Sequence, residues 1–263
     1  MSPLTEPTRI VLAKSWDLAG FDADAAAYIQ RVEWADTTPL EATTRIAINN
    51  FVVGCKADGT WNAIKASCIL AGARTLAGAL MPLVGPAPTN FNFVAGDYNR
   101  KTGLIGDGST KYLNSNRNNN SDPQNNQHLA CRITTQGTSS LGLFIGGGNS
   151  YLYRNNAISN LLGLSRGGSP EFNASTNSSV DNNFVGITRS LSTSYSYRTK
   201  GANTSVTLTS TAPSNADVNI FRYSNASLYT NARIAFYSIG ESLDLALLDT
   251  RVTALITAIG TAF

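Results

Sequence analysis

The chain has 263 residues, 42% of them apolar, enough to bury a sizeable core, yet only 14% are charged, against about a quarter in ordinary globular chains. Its net charge of +3, from 20 basic and 17 acidic residues, is too small to argue for nucleic acid, and no apolar run is long enough to span a bilayer, so neither partner is expected. Cys55, Cys68 and Cys131 have no regular spacing and His128 is the one histidine. That excludes a disulfide framework and a four-ligand zinc site; no metal or cofactor is expected, and the thiols read as small buried residues.

Residues 1–21 carry Pro3, Pro7 and the apolar patch Ile10, Val11 and Leu12. They suit an extended arm that pairs with a sheet edge or a partner, or else a leading strand. The segment 22–88 reads as a small helical unit. Asp22 can cap a first helix through Tyr28, Ile29 and Val32. Thr38-Pro39-Leu40-Glu41 has the form of a capping box opening a second helix with Ile46, Phe51, Val52 and Val53, closed at Gly54. A third helix is predicted through Trp61, Ile64, Ile69 and Leu70.

From Phe91 the apolar period changes to two. Asp107-Gly108 predicts a hairpin turn. Short strands follow at 128–133, 141–145, 151–153, 160–164, 184–188, 194–198, 205–209, 218–221 and 233–239, separated by Gly, Asn and Ser. Many short strands without intervening helices predict a mainly β chain, an antiparallel β-sandwich or jelly roll over 89–263. A last helix after Ser242 places Leu245, Leu248, Val252, Leu255, Ile256 and Ile259 on one face. That stripe can dock on the sandwich or on a symmetry mate, so Leu248, Val252, Leu255 and Ile259 are candidate assembly contacts, as are Ile10, Val11 and Leu12.

Catalysis has little support. Between Phe91 and Gly240 the acidic residues are Asp97, Asp107, Asp122, Glu171, Asp181 and Asp217, and no two stand at i and i+2, where one strand face could hold them about 5 to 5.5 Å apart for a retaining glycosidase. His128 opens an apolar strand, where a structural role outweighs a base. No catalytic residue is assigned, and the chain reads as non-enzymatic. Calcium could use Asp97, Asp107 or Asp181, but no loop concentrates several acids. Sugar binding needs aromatic faces beside polar donors. Three clusters offer them: Tyr151, Tyr153 and Arg154; Tyr195, Tyr197 and Arg198; and Arg222, Tyr223 and Tyr229. The spacing of two puts each of the first two tyrosine pairs on one strand face.

Two resemblances add to this reading. Gly-Asp-Gly-Ser-Thr-Lys-Tyr-Leu at 106–113 and Ile-Ala-Phe-Tyr-Ser-Ile-Gly at 234–240, running into Ser242-Leu243-Asp244, resemble a concanavalin A-like, or laminin G-like, jelly roll. The stretches 47–80 (AINNFVVGCKADGTWNAIKASCILAGARTLAGAL) and 88–120 (PTNFNFVAGDYNRKTGLIGDGSTKYLNSNRNNN) are similar to virion-associated and tail-fibre-like proteins of tailed phages that infect cyanobacteria. The second resemblance implies a structural or adhesion role as a tail-fibre or tail-tip subunit or a capsid decoration protein. Its partners would be other virion proteins, further copies of itself (a trimer is allowed) and a host-surface glycan. Assembly would take place in the host cytoplasm, with which the absence of a signal-peptide pattern at Met1–Trp16 and the reduced cysteines agree.

Overall fold

The computed structural model describes residues 18–156, 160–168, 171–174, 180–223 and 228–263; Ile10, Val11 and Leu12 lie outside them. Helices α1 (Ala23–Asp36) and α2 (Ala42–Ala57) come first, then strand β1 (Ile64–Ile69) and the single turn α3 (Leu76–Ala79). The strands continue as β2 (Thr89–Phe91), β3 (Tyr98–Asn99), β4 (Gly103–Ile105), β5 (Tyr112–Asn118), β6 (Gln127–Thr135), β7 (Leu141–Gly147), β8 (Ser150–Asn155) and β9 (Asn160–Ser165). After them come β10 (Phe172–Ala174), β11 (Asn183–Arg189), β12 (Ser194–Thr199), β13 (Ala202–Thr207), β14 (Asp217–Ile220), β15 (Arg233–Gly240) and the closing helix α4 (Leu245–Thr261).

The chain is a mainly β, antiparallel sandwich. Sheet A runs β13-β12-β11-β6-β15-β4-β3, with β1 also paired to β15; sheet B runs β10-β9-β8-β7-β14-β5-β2. β15 pairs with β4 near its start, through Arg233 and Ile234, and with β1 from Phe236 to Gly240. The chain changes sheet between β1 and β2, β2 and β3, β4 and β5, β5 and β6, β6 and β7, β10 and β11, β13 and β14, and β14 and β15, the Greek-key pattern of a jelly roll.

Two apolar layers result. Between the sheets lie Leu104, Leu113, Leu129, Phe144, Val185 and Tyr237. On the other face of sheet A, Ala130, Phe184, Ala235 and Phe236 meet α1, α2 and α4, with Phe51 and Phe236 edge to face at 5.6 Å. Sheet A is thus covered on both sides, which is why β15 is buried almost throughout and reads as a continuous apolar run. Gly186 lies beneath the start of α4, where a Cβ would come within 2.9 Å of Leu245.

Several expectations change. The predicted third helix is a short 3-10 turn, Trp61–Ala63, followed by strand β1. Ile64 and Ile69 face the helices while Ala66 and Cys68 face the intersheet core, and a run buried on both faces has no period by which to tell strand from helix. α2 begins after Glu41, which makes no side-chain cap bond because its carboxylate pairs with Arg74 and Arg100. Asp22 does cap α1, accepting from the Asp24 backbone N–H. At Asp107 the turn forms but not the hairpin. Its carboxylate accepts from the backbone N–H of Ser109, Thr110 and Lys111, yet β4 and β5 belong to different sheets. The α4 stripe corrects the assembly assignment. Leu248, Val252, Leu255 and Ile259 are all but sealed within their own chain, docked on α2 and sheet A, and are not free for a three-fold axis. Asp244 rather than Ser242 caps this helix.

Truncating that stripe tests the docking. Leu248→Ala is expected to lower unfolding stability by about 2–5 kcal/mol, read as a fall in the urea midpoint, whereas an unchanged midpoint would show that α4 is not docked.

Candidate functional site

With helices over sheet A, the outward face of sheet B is the broad strand surface left open among the described residues. Side chains alternate along its strands, so β8 turns Ser150, Leu152 and Arg154 inward and Tyr151 and Tyr153 outward. On β7 a bulge between Leu143 and Ile145 sends Phe144 and Ile145 together into the core. Leu141, Leu143 and Gly146 are left on the outward side. Tyr223, just beyond β14, donates its hydroxyl to the Gly148 carbonyl at 2.6 Å and sets its ring edge-on to Tyr151 at 5.5 Å.

These residues, with Leu228, enclose a solvent-facing groove of about 240 Å³ with Glu171 on its wall. Tyr151 and Tyr153 both donate their hydroxyls to the Glu171 carboxylate, Tyr153 at 2.9 Å. Burial, followed by the hydrogen bond to Glu171 and then its charge, pushes both phenols well above the ordinary tyrosine range, so both remain protonated donors. Two aromatic rings at a 5.9 Å centroid separation, a third nearly at right angles, three leucines and one fixed carboxylate make an apolar trough with a single anionic acceptor among the described residues.

A second hollow of about 300 Å³ lies on the same face, lined by Tyr112, Asn114, Asp217, Asn219 and Arg222 among others. The Arg222 guanidinium sits 4.7 Å over the Tyr112 ring and 5.4 Å from that of Tyr229, and Tyr112 stacks on Phe91 at 4.3 Å.

The three predicted clusters therefore fare differently. Tyr151, Tyr153 and Tyr223 meet in one groove. Arg154, one residue past Tyr153, falls on the opposite face and is buried, with its Nε donating to Asn156. Tyr195 and Tyr197 share a face as expected, but it is the inner one. Tyr195 is 2% exposed, donates to the Gly163 carbonyl and accepts from the Phe172 N–H, and burial pushes its hydroxyl up to about 12. Tyr197 stacks on Phe172 at 3.9 Å, and Arg198 pairs with Asp249 of α4 at 2.7 Å. That cluster holds the sandwich together and is withdrawn as a ligand site. Arg222 lines the second hollow, and Tyr229 packs beside its guanidinium. Glu171, Leu141 and Leu143 were missed; alternation around Gly142 was the available signal for the leucines, and Glu171, in the link between β9 and β10, had none.

Elsewhere the titratable groups have structural partners. Asp97 pairs with Lys111 at 2.6 Å, and Asp181 accepts from the Gln136 N–H. The three cysteines are buried free thiols. His128 is fully buried, its Nδ1 2.6 Å from the Glu241 carbonyl and its Nε2 2.7 Å from Ser238 Oγ. The carbonyl can only accept, so Nδ1 carries the proton and Ser238 donates to Nε2.

No family model and no curated protein matches the sequence. In three dimensions the chain is similar to Trypanosoma rangeli sialidase in complex with 2,3-difluorosialic acid, with a TM-score of 0.51 and 12% identity over 90% of this chain and 39% of that one. It is also similar to the botulinum neurotoxin serotype D binding domain (TM-score 0.50, 15% identity, 73% and 51% coverage) and, more distantly, to domains LG4-5 of the mouse laminin alpha1 chain (TM-score 0.40, 12% identity, 63% and 47% coverage). The chain spans about two fifths of the sialidase and half of the neurotoxin domain. At these identities the likeness shows the fold, a jelly-roll sandwich, and nothing of the chemistry.

His128, in sheet A and apart from the groove, gives the fold a pH signature. Burial holds its folded-state pKa at about 4, below the 6.5 of the free side chain. As pH falls from 6.5 to 4 the unfolded chain binds this proton first, so stability drops across that window, by up to about 3 kcal/mol. His128→Gln is expected to flatten that part of the profile in urea unfolding between pH 7 and 4; an unaltered slope would mean that His128 titrates normally.

Proposed function

We propose that the protein is a non-enzymatic, glycan-binding β-sandwich whose ligand lies in the groove of Tyr151, Tyr153 and Tyr223. The observation that carries this reading is the pairing of both β8 hydroxyls with one carboxylate under an open aromatic wall. Tyrosine rings offer flat apolar surface to the C–H face of a sugar ring at small entropic cost. A carboxylate has about four acceptor positions. Two are taken by tyrosines that fix its orientation, and two remain for vicinal sugar hydroxyls.

Binding fits better than hydrolysis. Glu171 is the only carboxylate on the groove wall among the described residues, whereas the usual glycosidase mechanisms use a pair. A tyrosine nucleophile is activated by a lowered pKa or by an adjacent base; the phenols of Tyr151 and Tyr153 are shifted upward but both donate to Glu171, so the non-enzymatic part of the proposal rests on the single carboxylate among the described lining residues. A fold shared with a sialidase solved on a sugar analogue is compatible with either activity and carries neither.

The setting belongs to the same proposal. Its support is the sequence resemblance of 47–80 and 88–120 to virion-associated phage proteins, which suits a fibre, tail-tip or decoration subunit that presents the sheet B face to host polysaccharide. Contacts with other virion proteins or further copies would use surfaces other than the buried α4 stripe.

Glycan-array binding and host-cell adsorption test the reading. Tyr151→Ala and Tyr153→Ala should each retain the wild-type circular dichroism spectrum and lose about tenfold or more in affinity, the scale of one removed ring contact. Undiminished binding by both variants would refute the assignment of the groove. Release of reducing sugar from a bound polysaccharide would refute the non-enzymatic part.

A further inference from the structure

The backbone register lines the two hollows of sheet B along one transverse row. Asn114 of β5 pairs with Asn219 of β14, Asn219 with Gly146 of β7, and Gly146 with Tyr151 of β8. Paired residues point to the same side of a sheet, so these four share the outward face. The row dips at Gly146. A Cβ there would come within 2.4 Å of the Tyr151 Cβ, so no side chain fits between the amide and the aromatic ring.

Beyond that dip the polar groups are incompletely used. Asn219 is only 4% exposed, lines the second hollow, and its Oδ1 has no hydrogen-bond partner. A buried carbonyl oxygen left unpaired is disfavoured until a donor reaches it. Beside it the exposed Asp217 carboxylate is oriented by Asn114, whose Nδ2 donates to it at 2.9 Å. The Nε of Arg222, also on the wall, is buried without a partner, while its guanidinium is spread over Tyr112 and Tyr229.

We propose that the binding site runs from the tyrosine groove across Gly146 to Asn219 and Asp217, and that its ligand is a neutral oligosaccharide rather than a single sugar or an acidic glycan. This inference rests on the glycan-binding reading above. The length follows from the sheet. β5 and β8 are three strand spacings apart, about 14 Å, more than one pyranose ring can bridge. The neutrality follows from the polar groups. Asn219 Oδ1 requires a donor, Glu171 and Asp217 keep spare acceptor positions beyond the donors they already have, and Arg222 Nε offers one N–H. Sugar hydroxyls both donate and accept and so serve all four. A uronate or sialate carboxylate only accepts; Arg222 is the one cation lining either hollow among the described residues, its guanidinium already laid over two rings, and the ligand carboxylate would meet two protein carboxylates along the row.

Isothermal titration calorimetry with glucose, galactose and mannose, short linear oligosaccharides of each, an oligogalacturonide and sialyllactose tests this. The expected result is that one neutral oligosaccharide series binds about tenfold tighter than its own monosaccharide and than either acidic ligand. Asn219→Ala and the surface variant Asp217→Asn should each remove most of that length-dependent gain, about five- to tenfold, and Tyr153→Ala should weaken every member of the series. Equal affinity for monosaccharide and oligosaccharide, preference for an acidic ligand, or full gain retained in both Asn219→Ala and Asp217→Asn would overturn the extended neutral site while a Tyr153-dependent signal keeps the groove. Binding to no glycan, or binding indifferent to Tyr153→Ala, would overturn both.

Discussion

The architecture depends on how the outer face of sheet A is covered. Leu245, Leu248, Val252, Leu255, Ile256 and Ile259 form one apolar stripe on α4, and the strands beneath answer with Ala130, Phe184, Ala235 and Phe236. An amphipathic helix must bury such a stripe against something. Once it does, sheet A has no free face and its strands can be apolar on both sides. Ion pairs fasten the layer, with Arg198 of β12 meeting Asp249 and Arg251 of α4 meeting Asp58 just after α2. The consequence lies on the opposite side of the molecule. Among the described residues sheet B is backed by the intersheet core alone, and its outer face is the strand surface on which the proposed site lies.

Small departures from regular strand geometry then shape that face. Without the β7 bulge, Leu143 and Gly146, three residues apart, would point to opposite sides. The bulge puts both outward and doubles the core contribution at Phe144 and Ile145, which a regular strand of the same length could not do. On β15 a shift between Ile234 and Phe236 lets Ala235 and Phe236 both face the helices while Ile234 and Tyr237 face the intersheet core. One irregularity serves docking and the other serves the groove.

The sequence carried the sandwich because its signal is local: alternation, Gly and Asn turns, and strands at short intervals. It carried the pairing of Tyr151 with Tyr153 for the same reason. It could not distinguish that pair from Tyr195 and Tyr197. Period two says that two residues share a face, and only the tertiary fold says whether that face looks outward, as on β8, or into the core, as on β12. Arg154 failed on parity, standing one residue beyond Tyr153. β1 failed because burial on both faces erases periodicity. Glu171 and Asn219 were illegible because their roles come from neighbours brought together by sheet register, Asn219 through Gly146 and Tyr151 from distant parts of the chain.

The low charge content connects these features. Much of the charge is spent on internal fastening. Arg189 donates from Nε to the Ser165 carbonyl and from Nη1 to the carbonyls of Leu191, Ser194 and Leu208, tying β11 to β9 across the edge of the sandwich. Arg166 is fully buried and, held near the Asp122 backbone carbonyl, has its pKa lowered by desolvation to about 10. Asp122 in turn pairs with Arg117. Charges locked into such positions cannot also form a surface field. The described part of the sheet B face is left to aromatic rings, amides, a few oriented acids and the Arg222 guanidinium, close-range partners whose interactions are only weakly screened by salt. Such a surface would select by shape and hydroxyl geometry rather than by charge, which is the physical basis of the proposal that its partner is neutral and hydroxyl-rich.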